Sequence, residues 1–160
     1  MINRFKQRGS SKRLVELRRI REEANGMALA RVLARLEGLR QDVIKLDQQT
    51  LEEQTLARDA IGQEGASSDR LALGMMDNFL RGQLWRRKRL EQMIAVADLD
   101  LEKAREAWLA ARTQLQQAEK LAEKEDLQYR KQAEQQEKKT MDMIGVLRNK
   151  TFFGQEGDLG

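Results

Sequence analysis

No proline occurs anywhere in this 160-residue sequence. Proline removes a backbone donor and clashes with the preceding turn, so a long chain without it is free to run as uninterrupted helix. The composition points the same way. Charged residues make up 35% and aromatic residues only 4% (Trp 2, Tyr 1, Phe 4), which leaves little from which to build a globular core. Cysteine and histidine are both absent. That removes disulfides, thiolate sites, imidazole ligands and the commonest general base, and with them most enzyme classes. No apolar run approaches the roughly 20 residues of a membrane-spanning helix; Met93 to Ala97 is among the longest. The basic start, Met1 to Arg8, has no apolar segment behind it, so a secretory signal is not expected and the chain reads as soluble and intracellular.

In the first half, apolar residues recur at Leu17, Ile20, Ala24, Ala28, Val32, Leu36, Leu39, Val43 and Leu46. Steps of three and four place them on one stripe of a helix. The early steps approach an eleven-residue repeat, which would relax or reverse a left-handed supercoil. Ser10 and Ser11 suit a helix start, while Gly26 and Gly38 are weak points inside it, each costing about 1 kcal/mol. Between Gly62 and Asp69, two glycines can end one helix and Ser67, Ser68 or Asp69 can cap the next. A turn this short forces antiparallel neighbours.

The second helix carries two heptad tracks. Ile94, Leu101, Trp108, Leu115, Ala122 and Tyr129 form one; Leu90, Ala97, Ala104, Ala111, Ala118 and Glu125 form the other. Large residues facing a run of alanines let a partner helix approach closely. Leu73, Met76 and Leu80 extend the seam, and Gln83 and Arg87 interrupt it. The reading is all-α: one long antiparallel two-helix coiled-coil hairpin with unequal helices. It spans residues 1–160 as a single domain, with helix one about 11–61, a turn about 62–68, helix two about 69–149 and a frayed tail 150–160. At 1.5 Å per residue the helices would measure roughly 75 and 120 Å. Such folding sets Leu46 near Leu84 and Leu17 near Leu115, and leaves residues beyond about 122 without a partner in the monomer.

Charge is uneven. Residues 1–21 hold eight cations (Arg4, Lys6, Arg8, Lys12, Arg13, Arg18, Arg19, Arg21) against Glu16 alone, in a chain whose net charge is only +4. Such an end suits phosphate, an anionic surface or an acidic protein groove, or serves solubility alone. The run Arg86 to Arg89 circles the helix rather than lining one face, which suits a solvated girdle better than groove reading. Met75, Met76, Phe79, Leu80, Leu84 and Trp85 form either a clasp near the turn or an exposed binding patch. Trp108 reads as packing. No phosphate-binding loop, metal set or catalytic constellation is visible, and carboxylate pairs such as Asp98 and Glu102 fit a solvated helix face. No cofactor is expected.

Lys12 to Arg18, the turn near residue 65 and the stretch Leu101-Glu102-Lys103-Ala104-Arg105-Glu106-Ala107-Trp108 resemble the flagellar export stalk family FliJ. Glu119 to Leu121, Tyr129 and Glu137 to Asp142 extend the likeness over roughly residues 10–145, and the YscO-like stalks of virulence secretion are related to that family. The resemblance implies a non-enzymatic cytoplasmic component of a type III export apparatus, peripheral to the inner membrane through its partners. Its paired chain ends would enter a hexameric export ATPase, and the part near the turn would meet the export gate membrane protein. Export chaperones would be further partners, and no nucleic acid is expected. The implied ATPase-binding residues are Lys12, Arg13, Leu17, Arg18, Arg21, Lys139 and Asp142; the implied gate-binding residues are Phe79, Gln83, Arg86 and Leu90. Of the latter, Phe79 keeps the family's residue type and the others do not; Met143 stands where the family often has an acid. Two other readings stay open: a basic coiled coil that binds nucleic acid, suggested by a pI near 9.5, and a structural coiled coil that homodimerises through its unpaired tail.

Overall fold

A computed structural model describes residues 2–61 and 66–155, with side chains for 9–61 and 70–151. Two helices account for it: α1, Ile2–Ala60 (59 residues), and α2, Ala66–Gln155 (90 residues). No strand occurs among the described residues. The Ile61 amide donates to the Ala57 carbonyl at 3.0 Å and closes the last turn of α1. Glycines 62 and 65 lie outside the described residues. The fold is the expected all-α hairpin of unequal helices.

Both helices overrun the bounds read from sequence. α1 starts at Ile2, not near Ser10 and Ser11, and Ser11 is buried on the inter-helix seam rather than capping an end. Its hydroxyl is suited to a cap, but only Gly9 in that stretch opposes helix, and one glycine costs about 1 kcal/mol. α2 is already helical at Ala66, ahead of the three candidate caps, and continues through Gln155 instead of fraying at 150.

Contacts group the chain into two compact units, residues 21–111 and residues 1–20 with 112–160. Within 21–111 the helices run antiparallel: Glu22 meets Trp108, Arg40 meets Asp98, and Asp47 meets Arg87. The core is Leu36, Leu39 and Ala97, with Leu90, Ile94 and Leu101 packed against it. Ala97 is 0% exposed, as the small-residue track requires of a close helix approach. Buried and half-buried positions on α1 step by three and four through Leu29, Val32, Leu36, Leu39, Val43, Leu46 and Thr50. On α2 the same alternation follows the expected tracks from Leu90 to Ala111.

Within the other unit, Ser11, Val15 and Arg18 of α1 face Leu115, Ala118 and Ala122 of α2, where Ser11 and Ala118 are buried. Arg18 donates from Nη1 to Oε1 of Gln114, and Arg19 stands 3.7 Å from Glu119. Along α1 from Leu17 to Ala28 the stripe read from sequence fails. Leu17 and Ile20 are 64% and 58% exposed, and Ala24 and Ala28 also face solvent. Arg18, Glu22 and Asn25 hold the inner positions instead. α2 keeps a strict heptad, so its partner keeps that phase as well; of the polar residues this draws inward, Arg18 and Glu22 find Gln114 and Trp108 opposite, and Asn25 donates to the Arg21 carbonyl of its own helix. From Ser11 to Thr50 the burial steps as a heptad with no eleven-residue repeat, and Leu17 lies off the seam, exposed. The ion pairs Arg19–Glu119, Arg40–Asp98, Arg81–Asp77, Arg87–Asp47, Arg87–Glu91 and Arg105–Glu102 are exposed, and each contributes about 0.2–1 kcal/mol.

Candidate functional site

On α1, the seam positions Ser11, Val15, Arg18 and Glu22 fix which way everything else points. Leu17 and Ile20 lie more than a quarter-turn away from that seam at 100° per residue, so they project outward beside Lys12, Arg13 and Arg19, which are exposed too. Arg18 is half-buried and already holds Gln114, which makes it a seam residue as much as a surface one. Arg21, one turn further, is exposed.

On α2, every side chain from Glu134 to Thr151 is exposed. Met141, Met143, Ile144, Val146 and Leu147 lie in this stretch, from 53% to 71% exposed. They occupy a broad arc of the helix, and Lys138, Lys139 and Arg148 surround it. Lys139 and Asp142 therefore stand on an uncovered helix with a large apolar face. The resemblance implies a contact role for those two residues and none for the five apolar ones, of which Met143 enters only as a departure from the family pattern. The signal was present: in the polar last third of the chain, Met141-Asp142-Met143-Ile144-Gly145-Val146-Leu147 contains one charge. Exposed apolar clusters of this kind are a common feature of surfaces that meet partners.

The residues near the turn behave differently. Phe79, Gln83, Arg86 and Leu90 do share one side of α2, but that side is largely the seam of the unit 21–111. Leu90 packs on the Leu36, Leu39 and Ala97 core. Gln83 is 7% exposed, and its Oε1 has no hydrogen-bond partner. Phe79 is half-buried and only Arg86 is freely exposed. The Met–aromatic cluster divides accordingly: Met76, Phe79 and Leu80 are half-buried toward α1, whereas Met75, Leu84 and Trp85 face solvent. Leu46 and Leu84 border one groove with Thr50, Leu80, Gln83 and Arg87, yet Leu84 is exposed rather than paired. Trp108 sits on the seam, as expected, and its Nε1 donates to Oε1 of Glu22 at 2.9 Å.

Among the described residues no group of three or more His, Cys, Asp or Glu side chains could hold a metal ion. Among the described residues no helix is long and apolar enough to cross a membrane.

Two long helices with exposed basic residues between 12 and 21 and exposed apolar residues between 141 and 147 place the chain in the class of all-α coiled-coil hairpins. The chain belongs to the flagellar FliJ protein family, whose sequence model matches residues 11–148. That match spans both helices and includes Lys139 and Asp142. No curated protein and no solved structure matches the chain at a significant level.

Proposed function

We propose that this protein is the non-enzymatic stalk of a flagellar type III export apparatus, acting as one coiled-coil hairpin whose chain ends enter a hexameric export ATPase. The observation that carries the reading is the uncovered stretch of α2 from Glu134 to Thr151, with Met141, Ile144 and Leu147 left in water. Burying three such side chains is worth about 1.5–3 kcal/mol each, a gain that a partner can supply and this chain does not. The basic start of α1, with Lys12, Arg13, Arg18 and Arg21, adds attraction to an acidic ring lumen. Many exposed, individually weak contacts suit a stalk that must adjust inside a ring.

The residues flanking the turn are assigned to the export gate, a membrane protein, with Phe79 and Arg86 as the contacts best placed to reach it. Leu90 and Gln83 act through the seam that holds those two in place. Export chaperones are further partners. Localisation is cytoplasmic, at the inner-membrane export apparatus through these partners, with no cofactor and no nucleic acid.

The test is ATP hydrolysis by the cognate export ATPase with this protein titrated in below stoichiometry. Stimulation saturating near one chain per ATPase hexamer supports ring insertion. Charge reversal at Arg13, Arg18 and Arg21 that leaves stimulation intact contradicts the electrostatic part. Absence of stimulation by a folded hairpin contradicts the whole reading.

A further inference from the structure

Two tryptophans of the unit 21–111 are treated in opposite ways. Trp108 is on the seam with its indole nitrogen bonded to Glu22. Trp85 is 61% exposed. It lies in a shallow groove formed by Arg35 of α1 and Lys88, Arg89, Met93 and Val96 of α2. The Arg89 guanidinium stands 5.5 Å from the Trp85 ring centroid, a cation–π contact that covers one face of the indole. Met93 and Val96 are exposed as well and continue the apolar strip along the helix.

The charge of this groove is of one sign. No carboxylate lines it. Arg35, Lys88 and Arg89 form no ion pair among the described residues, whereas Arg40 and Arg87 find Asp98 and Asp47. Tryptophan, arginine and methionine are the residue types that concentrate at the centres of protein interfaces.

We propose that this groove is a docking surface for an acidic amphipathic helix of a partner protein, anchored by Trp85 and steered by Arg35, Lys88 and Arg89. The chemistry of the occupant follows from the two kinds of wall. Trp85, Met93 and Val96 require apolar side chains, and the three cations, drawn from both helices, require carboxylates beside them. A helix supplies both at spacings of three and four residues and lies along two antiparallel helices by ordinary groove packing. A nucleic-acid strand would need the indole face for base stacking, and Arg89 occupies one side of it. This surface is separate from the chain-end residues assigned to the ATPase and stands or falls independently of them.

The probe is a synthetic helical peptide with leucine on one face and glutamate on the other, titrated into the full-length chain labelled at its indole nitrogens. The Trp85 N–H resonance is expected to shift and that of Trp108 to stay, with Trp85→Ala weakening binding by about tenfold or more. Arg35→Glu, a change on the other helix, is expected to weaken it by about fivefold. Circular dichroism unchanged in both variants keeps the loss from being one of folding. The proposal is overturned if a scrambled peptide of the same composition binds equally, or if both variants bind as the parent does. It is also overturned if oligothymidylate shifts Trp85 more strongly than the peptide. A Trp85 shift produced by raising the protein concentration alone would assign the groove to a second copy of this chain and overturn it likewise.

Discussion

Leu36 and Met141 are both large apolar side chains on long helices, yet Leu36 is 2% exposed and Met141 is 71% exposed. The difference lies in cover, not in residue chemistry. Around Leu36 the opposing helix presents Ala97, with Leu90, Ile94 and Leu101 packed against the cluster. From Glu134 to Thr151 no described side chain of α2 is covered. The same apolar surface therefore serves cohesion in one region and remains free for association in the other. Among the described residues only six apolar side chains are buried, three of them alanine, so cohesion rests on few positions while large apolar residues elsewhere stay exposed.

Substitutions at the two places should split cleanly. Leu36→Ala is expected to destabilise the hairpin by about 2–5 kcal/mol, read from urea unfolding followed by circular dichroism. Ala97→Leu puts a larger side chain where Ala97 is fully buried and should cost about 1–3 kcal/mol in the same assay. Ile144→Asp, on the uncovered stretch, should leave stability within about 0.5 kcal/mol of the parent. A cooperative loss of stability in that variant would mean the stretch is part of the fold after all.

Two milder changes sharpen the contrast by improving the covered region. Gln83 places an unpartnered Oε1 on the seam, a defect that costs about 1–3 kcal/mol when an acceptor is left unsatisfied. Gln83→Leu is therefore expected to raise the unfolding midpoint. Gly26 has room for a methyl group: an added Cβ would lie 3.6 Å from the Trp108 Nε1, an ordinary contact. Gly26→Ala should stabilise by about 0.5–1 kcal/mol through helix propensity alone. A loss of stability there would show that the Trp108–Glu22 arrangement tolerates no added bulk.

Legibility in the sequence followed how faithfully apolar residues marked the seam. On α2 every large heptad position was apolar or alanine, so the register from Leu90 to Ala122 could be read directly. On α1 the stretch before Val32 misled. Leu17, Ile20, Ala24 and Ala28 formed a tidy stripe, but the partner's register turned them outward and drew in Arg18, Glu22 and Asn25. Register is a property of the pair, and one strand's pattern cannot fix it where polar residues are satisfied across the seam. The cap signals at Ser10 and Ser11 were outweighed by helix continuing through them. At the functional sites, charge was visible and exposure was not. Lys12, Arg13, Lys139 and Asp142 stand where surface residues should, whereas Leu90 and Gln83 prove to be seam positions. The exposure of the run Met141 to Leu147 is not legible in the sequence, because in a coiled coil apolar residues read by default as core.

The most direct measurement is stimulation of the export ATPase by the doubly substituted chain, Ile144→Asp with Leu147→Asp, compared with the parent at equal substoichiometric amounts. Unchanged thermal unfolding together with loss of stimulation by about tenfold or more is the result expected of a covered hairpin that works through its uncovered end. Full stimulation by the substituted chain, with the same unfolding midpoint, would contradict the account.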